Sequence, residues 1–339
     1  MKTSTQYQTA SRVSRTPPPR VPPPYWALLA ALYFLQGSFC APPGPAGAAG
    51  LIPLADPGGA WQALISPEHG GELASFRVRY QGAWVETLYR AADYSATTSG
   101  WTGRAPWLWP ATGRNEPLPQ HGFARDLPWK VAGQPEPARV TLTLEDSAET
   151  RRLFPHRFRL SAEYSAEPGG VFAIRFTVTA SAKNTAPLPF SAGNHITFRT
   201  PLVPGSDPLA MTLTSPSTVE YLKKDRIPTG ATRPRSLSSP VPVRTLGKNE
   251  AVSLGGYRGD PWLELHDPAG LTLRLWHHAS SVPPPPLVQF NLWGDPAAGY
   301  FSPEPWVGLQ NAHNSRQGLT SLPPGARWDW VLRIRSSTN

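Results

Sequence analysis

The chain has 339 residues, of which 40% are apolar, only 16% are charged, and 13 are Trp. That composition supplies a sizeable core and excludes an acidic disordered chain. Pro (42) and Gly (29) together make about a fifth of the residues; an interior Pro costs ~3 kcal/mol in a helix, so an all-helical fold is excluded too.

The net charge of +9 divides unevenly: residues 1–50 hold Lys2, Arg12, Arg15 and Arg20 and no acid, leaving 28 basic and 23 acidic groups in the rest. The densest basic cluster there, Lys223, Lys224 and Arg226, is interrupted by Asp225. A duplex-binding surface shows a basic stripe instead, so no nucleic-acid partner is expected. With Cys40 as the single cysteine, neither an intrachain disulfide nor a Cys-based zinc site is available.

Residues 1–50 read as a segment apart. Arg12 to Pro24 is basic with two Pro-Pro-Pro runs, Tyr25 to Leu35 is an apolar run of 11, and Cys40 to Gly50 is rich in Ala, Pro and Gly. A basic flank, a short apolar stretch and small residues form the layout of a secretory signal, which favours an exported or periplasmic protein. The apolar run is shorter than the ~20 residues that span a bilayer. The alternative is a true start further downstream and a cytoplasmic protein.

Residues 51–339 are expected to form one large domain of short strands. Phe158, Leu160, Ala162 and Tyr164 alternate with polar residues, as do Ile174, Phe176, Val178 and Ala180. Leu271, Leu273 and Leu275 repeat the pattern, followed by Trp328, Trp330, Leu332 and Ile334. Period-two alternation between Gly, Pro, Asn and Asp punctuation marks half-buried strands. No longer window shows a helical period, so the fold expected is all-β, a large antiparallel β-sandwich. Pro228 to Pro242 reads as loop.

His277 and His278 are adjacent in a strand-like run, point to opposite faces and cannot chelate one ion together. No metal site is expected, and GxSxG and P-loop patterns are absent. Three segments break the strand rhythm with polar groups among Gly, Pro and aromatics: Gly100 to Arg125, Pro189 to Phe198 and Phe301 to Asn314. They hold His121, His195 and Glu304 respectively, and aromatics beside a few directed polar groups are how proteins hold sugars.

The order GWTGRAPWLWPATGR, LPQHGFAR, PLPFSAGNHITF, GDPWLELHDP and PEPWVGLQNAHNS resembles the aldose 1-epimerase (galactose-mutarotase-like) family, from about Ala60 to Arg335. The resemblance implies a galactose-mutarotase-like supersandwich whose concave face takes a small-molecule sugar, and an isomerase that needs no cofactor. Carried over, His195 is the acid that protonates the ring oxygen and Glu304 the base that takes the anomeric proton. Arg114, His121 and Asp260 would hold sugar hydroxyls or the ring oxygen. Ile196-Thr197-Phe198 departs from the family's Pro-Tyr-Phe and leaves the sugar's identity open.

The chemistry stands on its own. Anomer exchange delivers one proton and removes another, so an acid and a base are expected to face each other across the ring. Imidazole titrates near ~6.5, and a carboxylate desolvated by Pro303, Pro305 and Trp306 becomes more basic. Trp101, Trp107 and Trp109 are expected in the core, and Arg104 and Arg125 are candidates for a phosphate clamp. Two other readings are a non-catalytic carbohydrate binder and a glycoside hydrolase using Asp260 and Glu304, which lacks the usual carboxylic acid partner.

Overall fold

A computed structural model describes residues 50–90, 101, 103–248, 250–282 and 286–338. The signal-like segment, Gly50 apart, lies outside the described residues.

The four alternating stretches become neighbouring strands of one sheet. Phe158–Glu167 pairs with Val171–Ala180, which pairs with Arg327–Thr338, which pairs with Leu271–Ala279, every step antiparallel. Trp262–His266, Thr212–Ser215 and Leu237–Pro242 extend one end; Arg139–Glu145 and Lys130–Glu136 extend the other, giving nine strands. Phe158, Leu160, Ala162 and Tyr164 are buried while Arg159 is exposed, because one face of this sheet meets the core and the other meets water.

Facing it is an eight-stranded sheet. Its path runs Ile227–Pro234, Val219–Lys224, Val252–Gly255, Val288–Asp295, Tyr300–Val307, Ala192–Asn194 and Trp107–Leu108, with Phe198–Arg199 also on Tyr300–Val307. The two sheets meet through large side chains. Trp107 packs 4.5 Å from Phe176 and edge-on to Trp330, and its indole N–H donates to Tyr164 Oη at 3.1 Å. Phe290 meets the buried ring of His277 at 4.7 Å, whereas His278 is exposed on the other face. Aromatic contacts of this kind hold the two layers in a fixed relation.

The expectation of loop at Pro228 to Pro242 is corrected. The stretch is two strands, Ile227–Pro234 and Leu237–Pro242, paired with Val219–Lys224 and Thr212–Ser215. Each is the outermost strand of its sheet. An edge strand leaves one row of backbone groups to water and so tolerates Pro and exposed Ser and Thr, which is why the composition resembled a loop.

Candidate active site

The site begins at a gap in the eight-stranded sheet. Ala192 and Gly193 pair with Val307 and Trp306, and Phe198 and Arg199 pair with Phe301 and Tyr300, leaving His195 to Thr197 off the ladder opposite Ser302 to Pro305. Pro303 and Pro305 have no N–H to give a ladder, so an interior strand accepts them where its neighbour has peeled away. The departing segment is held elsewhere. The His195 N–H donates to Pro106 O at 2.9 Å, and Asn194 Nδ2 donates to Ala105 O at 2.9 Å. Thr197 Oγ1 lies 2.8 Å from Ser302 Oγ across the gap. Gly193 sits where a Cβ would come 2.7 Å from the Trp306 ring, so only a residue without a side chain lets that ring lie against this strand.

The gap brings the imidazole and the carboxylate together. His195 Nε2 is 3.7 Å from Glu304 Oε2, and both side chains are buried. Glu304 Oε1 accepts from Asn291 Nδ2 at 3.2 Å and Oε2 accepts from Trp306 Nε1 at 3.1 Å. Asn291 stands directly across the ladder from Glu304, and Trp306 follows two residues on, so the antiparallel register puts all three on one face. The pair therefore sits side by side; the sequence-based expectation of an acid and a base on opposite edges of a ring is corrected.

Around the pair is a cavity of about 350 Å³, within the range of small-molecule sites. Its lining joins His195, Glu304, Asn291 and Trp306 to His121, Gln120 and Arg125, to Trp101 and Trp293, and to Lys223, Arg226 and Glu250. His121 has a positive φ of 67°, and Gly122 after it has φ 71° and lies where a Cβ would fall 2.1 Å from Trp109 O. That tight turn aims the His121 ring at His195, 5.4 Å away and edge-on. His121 Nδ1 accepts the Gly113 N–H at 3.1 Å, which leaves the neutral ring's hydrogen on Nε2.

Burial sets the protonation of the site. It pushes Glu304 up to about 8, against the pull of the Asn291 and Trp306 hydrogen bonds and of Lys223 and Arg125. It pushes His195 down to about 3, with Arg125 adding to the effect. His121 is held well below its ordinary value by burial, then by His195 and Arg125. Across the neutral range the His195–Glu304 pair thus shares one proton.

Not every sequence candidate reaches the cavity. Arg114 is exposed and is not among the lining residues, although Gly113 is. Asp260 is on the outer surface, 2.7 Å from His278 Nδ1, ahead of a strand of the nine-stranded sheet. The expectation that these two grip a sugar is corrected on placement. Arg104 is buried against Glu72 at 2.8 Å, so of the two clamp candidates only Arg125 lines the cavity. Trp107 and Trp109 are core residues as expected, but Trp101 lines the cavity. Asn291, Trp293 and Glu250 carried no sequence signal. Lys223 and Arg226 were visible only as a basic cluster. Among the described residues no three His, Cys, Asp or Glu side chains gather to hold a metal ion.

Comparison with known proteins points the same way. Residues 58–335 match the family described as Aldose 1-epimerase. Two relatives, each named "Putative glucose-6-phosphate 1-epimerase", from Escherichia coli and Salmonella typhimurium, are 42% and 40% identical over 62 residues. That alignment takes in 17% of this chain and 20% of each relative's length. A protein of Synechocystis sp. PCC 6803 shares the fold with a TM-score of 0.70 at 24% identity, over 90% of this chain and 100% of its own. A galactose mutarotase related enzyme from Lactobacillus acidophilus does so with a TM-score of 0.70 at 19% identity, over 85% and 97%. With the match running through both sheets and the whole cavity, the chain belongs to the aldose 1-epimerase family.

Proposed function

We propose that the protein is a mutarotase, interconverting the α and β anomers of a hexose or hexose derivative through His195 and Glu304. The observation that carries this reading is the 3.7 Å separation of imidazole and carboxylate inside one cavity. The anomeric hydroxyl and the ring oxygen are bonded to the same carbon, so two neighbouring groups on the protein reach both.

The reaction moves protons only. With the pair's shared proton moved from Glu304 to His195, Glu304 takes the proton of the anomeric hydroxyl while His195 gives its own to the ring oxygen; the C1–O5 bond breaks and the open-chain aldehyde forms. Rotation about C1–C2 presents the other face of the carbonyl. Closure then reverses both transfers, Glu304 returning its proton to the new anomeric hydroxyl and His195 recovering its own. After opening, the proton rests on Glu304 and the imidazole is neutral, the arrangement that burial favours. The pair ends each cycle with the one proton it started with, and with no redox change the reaction needs no cofactor.

The remaining lining suits a sugar. Trp101, Trp293 and Trp306 offer ring faces and edges to C–H groups, and His121 Nε2–H offers a donor to a hydroxyl. Arg125 and Arg226 outweigh Glu250 at the cavity wall. That surplus favours an anionic hexose such as a phosphorylated one, the substrate class in the relatives' printed names.

Polarimetry of freshly dissolved α-glucose, α-galactose and α-glucose 6-phosphate tests the reading. The protein is expected to speed equilibration, and Glu304→Gln and His195→Asn to abolish that while still binding sugar. Binding without any acceleration by the native protein would overturn the enzyme and leave a carbohydrate-binding protein.

A further inference from the structure

We propose that Lys223 is a positioning residue for the reaction, acting through Asn291 to fix and ready the Glu304 carboxylate. This deepens the mutarotase reading and rests on it.

A primary amide has one accepting oxygen and one donating nitrogen, and nothing intrinsic decides which of them faces Glu304. The Lys223 ammonium, which can only donate, decides it here, and the Ser253 hydroxyl follows. Lys223 Nζ reaches Asn291 Oδ1 at 3.3 Å, and Ser253 Oγ donates to the same oxygen at 2.9 Å. With the oxygen occupied from that side, Nδ2 is left to donate to Glu304 Oε1 at 3.2 Å. Trp306 Nε1 fixes the other carboxylate oxygen, so Oε2 is held toward His195. Lys223 is itself anchored, its ammonium donating to Ala251 O.

The three residues come from three strands. Val219–Lys224 pairs with Val252–Gly255, which pairs with Val288–Asp295, and the cation thus reaches the carboxylate across the sheet without entering the gap. The charged and titratable groups around this line are His195, His121, Arg125, Arg226 and Glu250 on the cavity wall, and Glu220 on the strand of Lys223. Burial pushes Lys223 down to about 8, so it is a cation at neutral pH. As a cation it favours the ionised form of Glu304, the form that removes the anomeric proton.

A residue that gripped an anionic sugar would behave differently, and the test separates the two. In Lys223→Met, kcat is expected to fall about tenfold while KM stays within about twofold, equally for glucose and glucose 6-phosphate. Lys223→Arg, which keeps the charge and the donors, is expected to restore most of the rate. Independently of turnover, the 13C carboxyl resonance of Glu304 should titrate about one pH unit higher in Lys223→Met than in the native protein, and unshifted in Lys223→Arg. Lys223→Gln, which keeps an amide donor without the charge, gives the same titration if the Met variant does not fold.

An unmoved Glu304 titration in the folded Met or Gln variant would overturn the proposal. So would a rise in KM confined to the phosphorylated sugar. Because the titration needs no activity, a native protein inactive on every sugar would sink the mutarotase reading while the Lys223–Asn291–Glu304 coupling is still measured.

Discussion

Replacing Glu304 with Gln should make the protein inactive and, above acid pH, more stable. In the folded state burial raises this carboxyl from an ordinary 4.5 to about 8. The unfolded chain therefore ionises first, and the native fold loses stability as pH rises from about 4.5 towards 8. At pH 7 the interval is roughly two and a half units, each worth about 1.36 kcal/mol, so the burden is about 3 kcal/mol. At pH 4 the carboxyl is protonated in both states and the burden vanishes. Gln never ionises, but its NH2 faces one of the two donors, Asn291 Nδ2 or Trp306 Nε1, that now meet oxygens. That mismatch costs about 1–2 kcal/mol at every pH. The pH-dependent part is thus separable. For ~290 ordered residues the unfolding entropy is roughly 0.6 kcal/mol/K, so about 3 kcal/mol corresponds to about 5 °C. Melts followed by circular dichroism at pH 4, 5.5 and 7 should show Tm of Glu304→Gln gaining on the native protein by about 5 °C from the lowest to the highest. A difference that stays flat with pH would mean that Glu304 is ionised in the resting fold, and the protonation argument would fail.

Turnover itself should hold through the neutral range and decline above about pH 8, where the His195–Glu304 pair gives up its single proton; a pH series of kcat/KM reads this directly. Arg114→Ala and Asp260→Ala should each stay within about twofold of native kcat/KM, since both side chains are exposed and neither lines the cavity. Gly122→Ala should cost about 3 kcal/mol in a denaturant titration and depress turnover, because its Cβ would fall 2.1 Å from Trp109 O at a φ of 71°. Arg125→Met should raise KM for glucose 6-phosphate about tenfold more than KM for glucose, the loss of one charged contact to an anion.

What the sequence disclosed follows the way each sheet meets water. The four strands found by alternation are consecutive neighbours in the nine-stranded sheet, whose outer face is wet and so writes polar residues at every second position. Tyr300–Val307 is buried at all but its first residue, and Trp107–Leu108 and Ala192–Asn194 throughout; a strand covered on both faces has no period to read. The motifs holding His195, Glu304 and His121 stood out because aromatics, Gly and Pro crowd around one polar group. Asn291 did not: its role depends on lying opposite Glu304 in the ladder, a register that no local pattern encodes. Asp260 failed for a related reason. The string GDPWLEL puts it next to a strand, but that strand belongs to the other sheet, while Glu250 at the start of the Val252–Gly255 region lines the cavity.

Whether one imidazole and one carboxylate serve two oxygens on the same carbon is visible in a crystal structure of the Glu304→Gln protein soaked with glucose 6-phosphate. A pyranose is expected in the cavity with its anomeric oxygen within about 2.6–3.2 Å of the residue 304 side chain and its ring oxygen at the same reach from His195 Nε2. A sugar bound with C1 turned away from both, or seated outside this cavity, would contradict it.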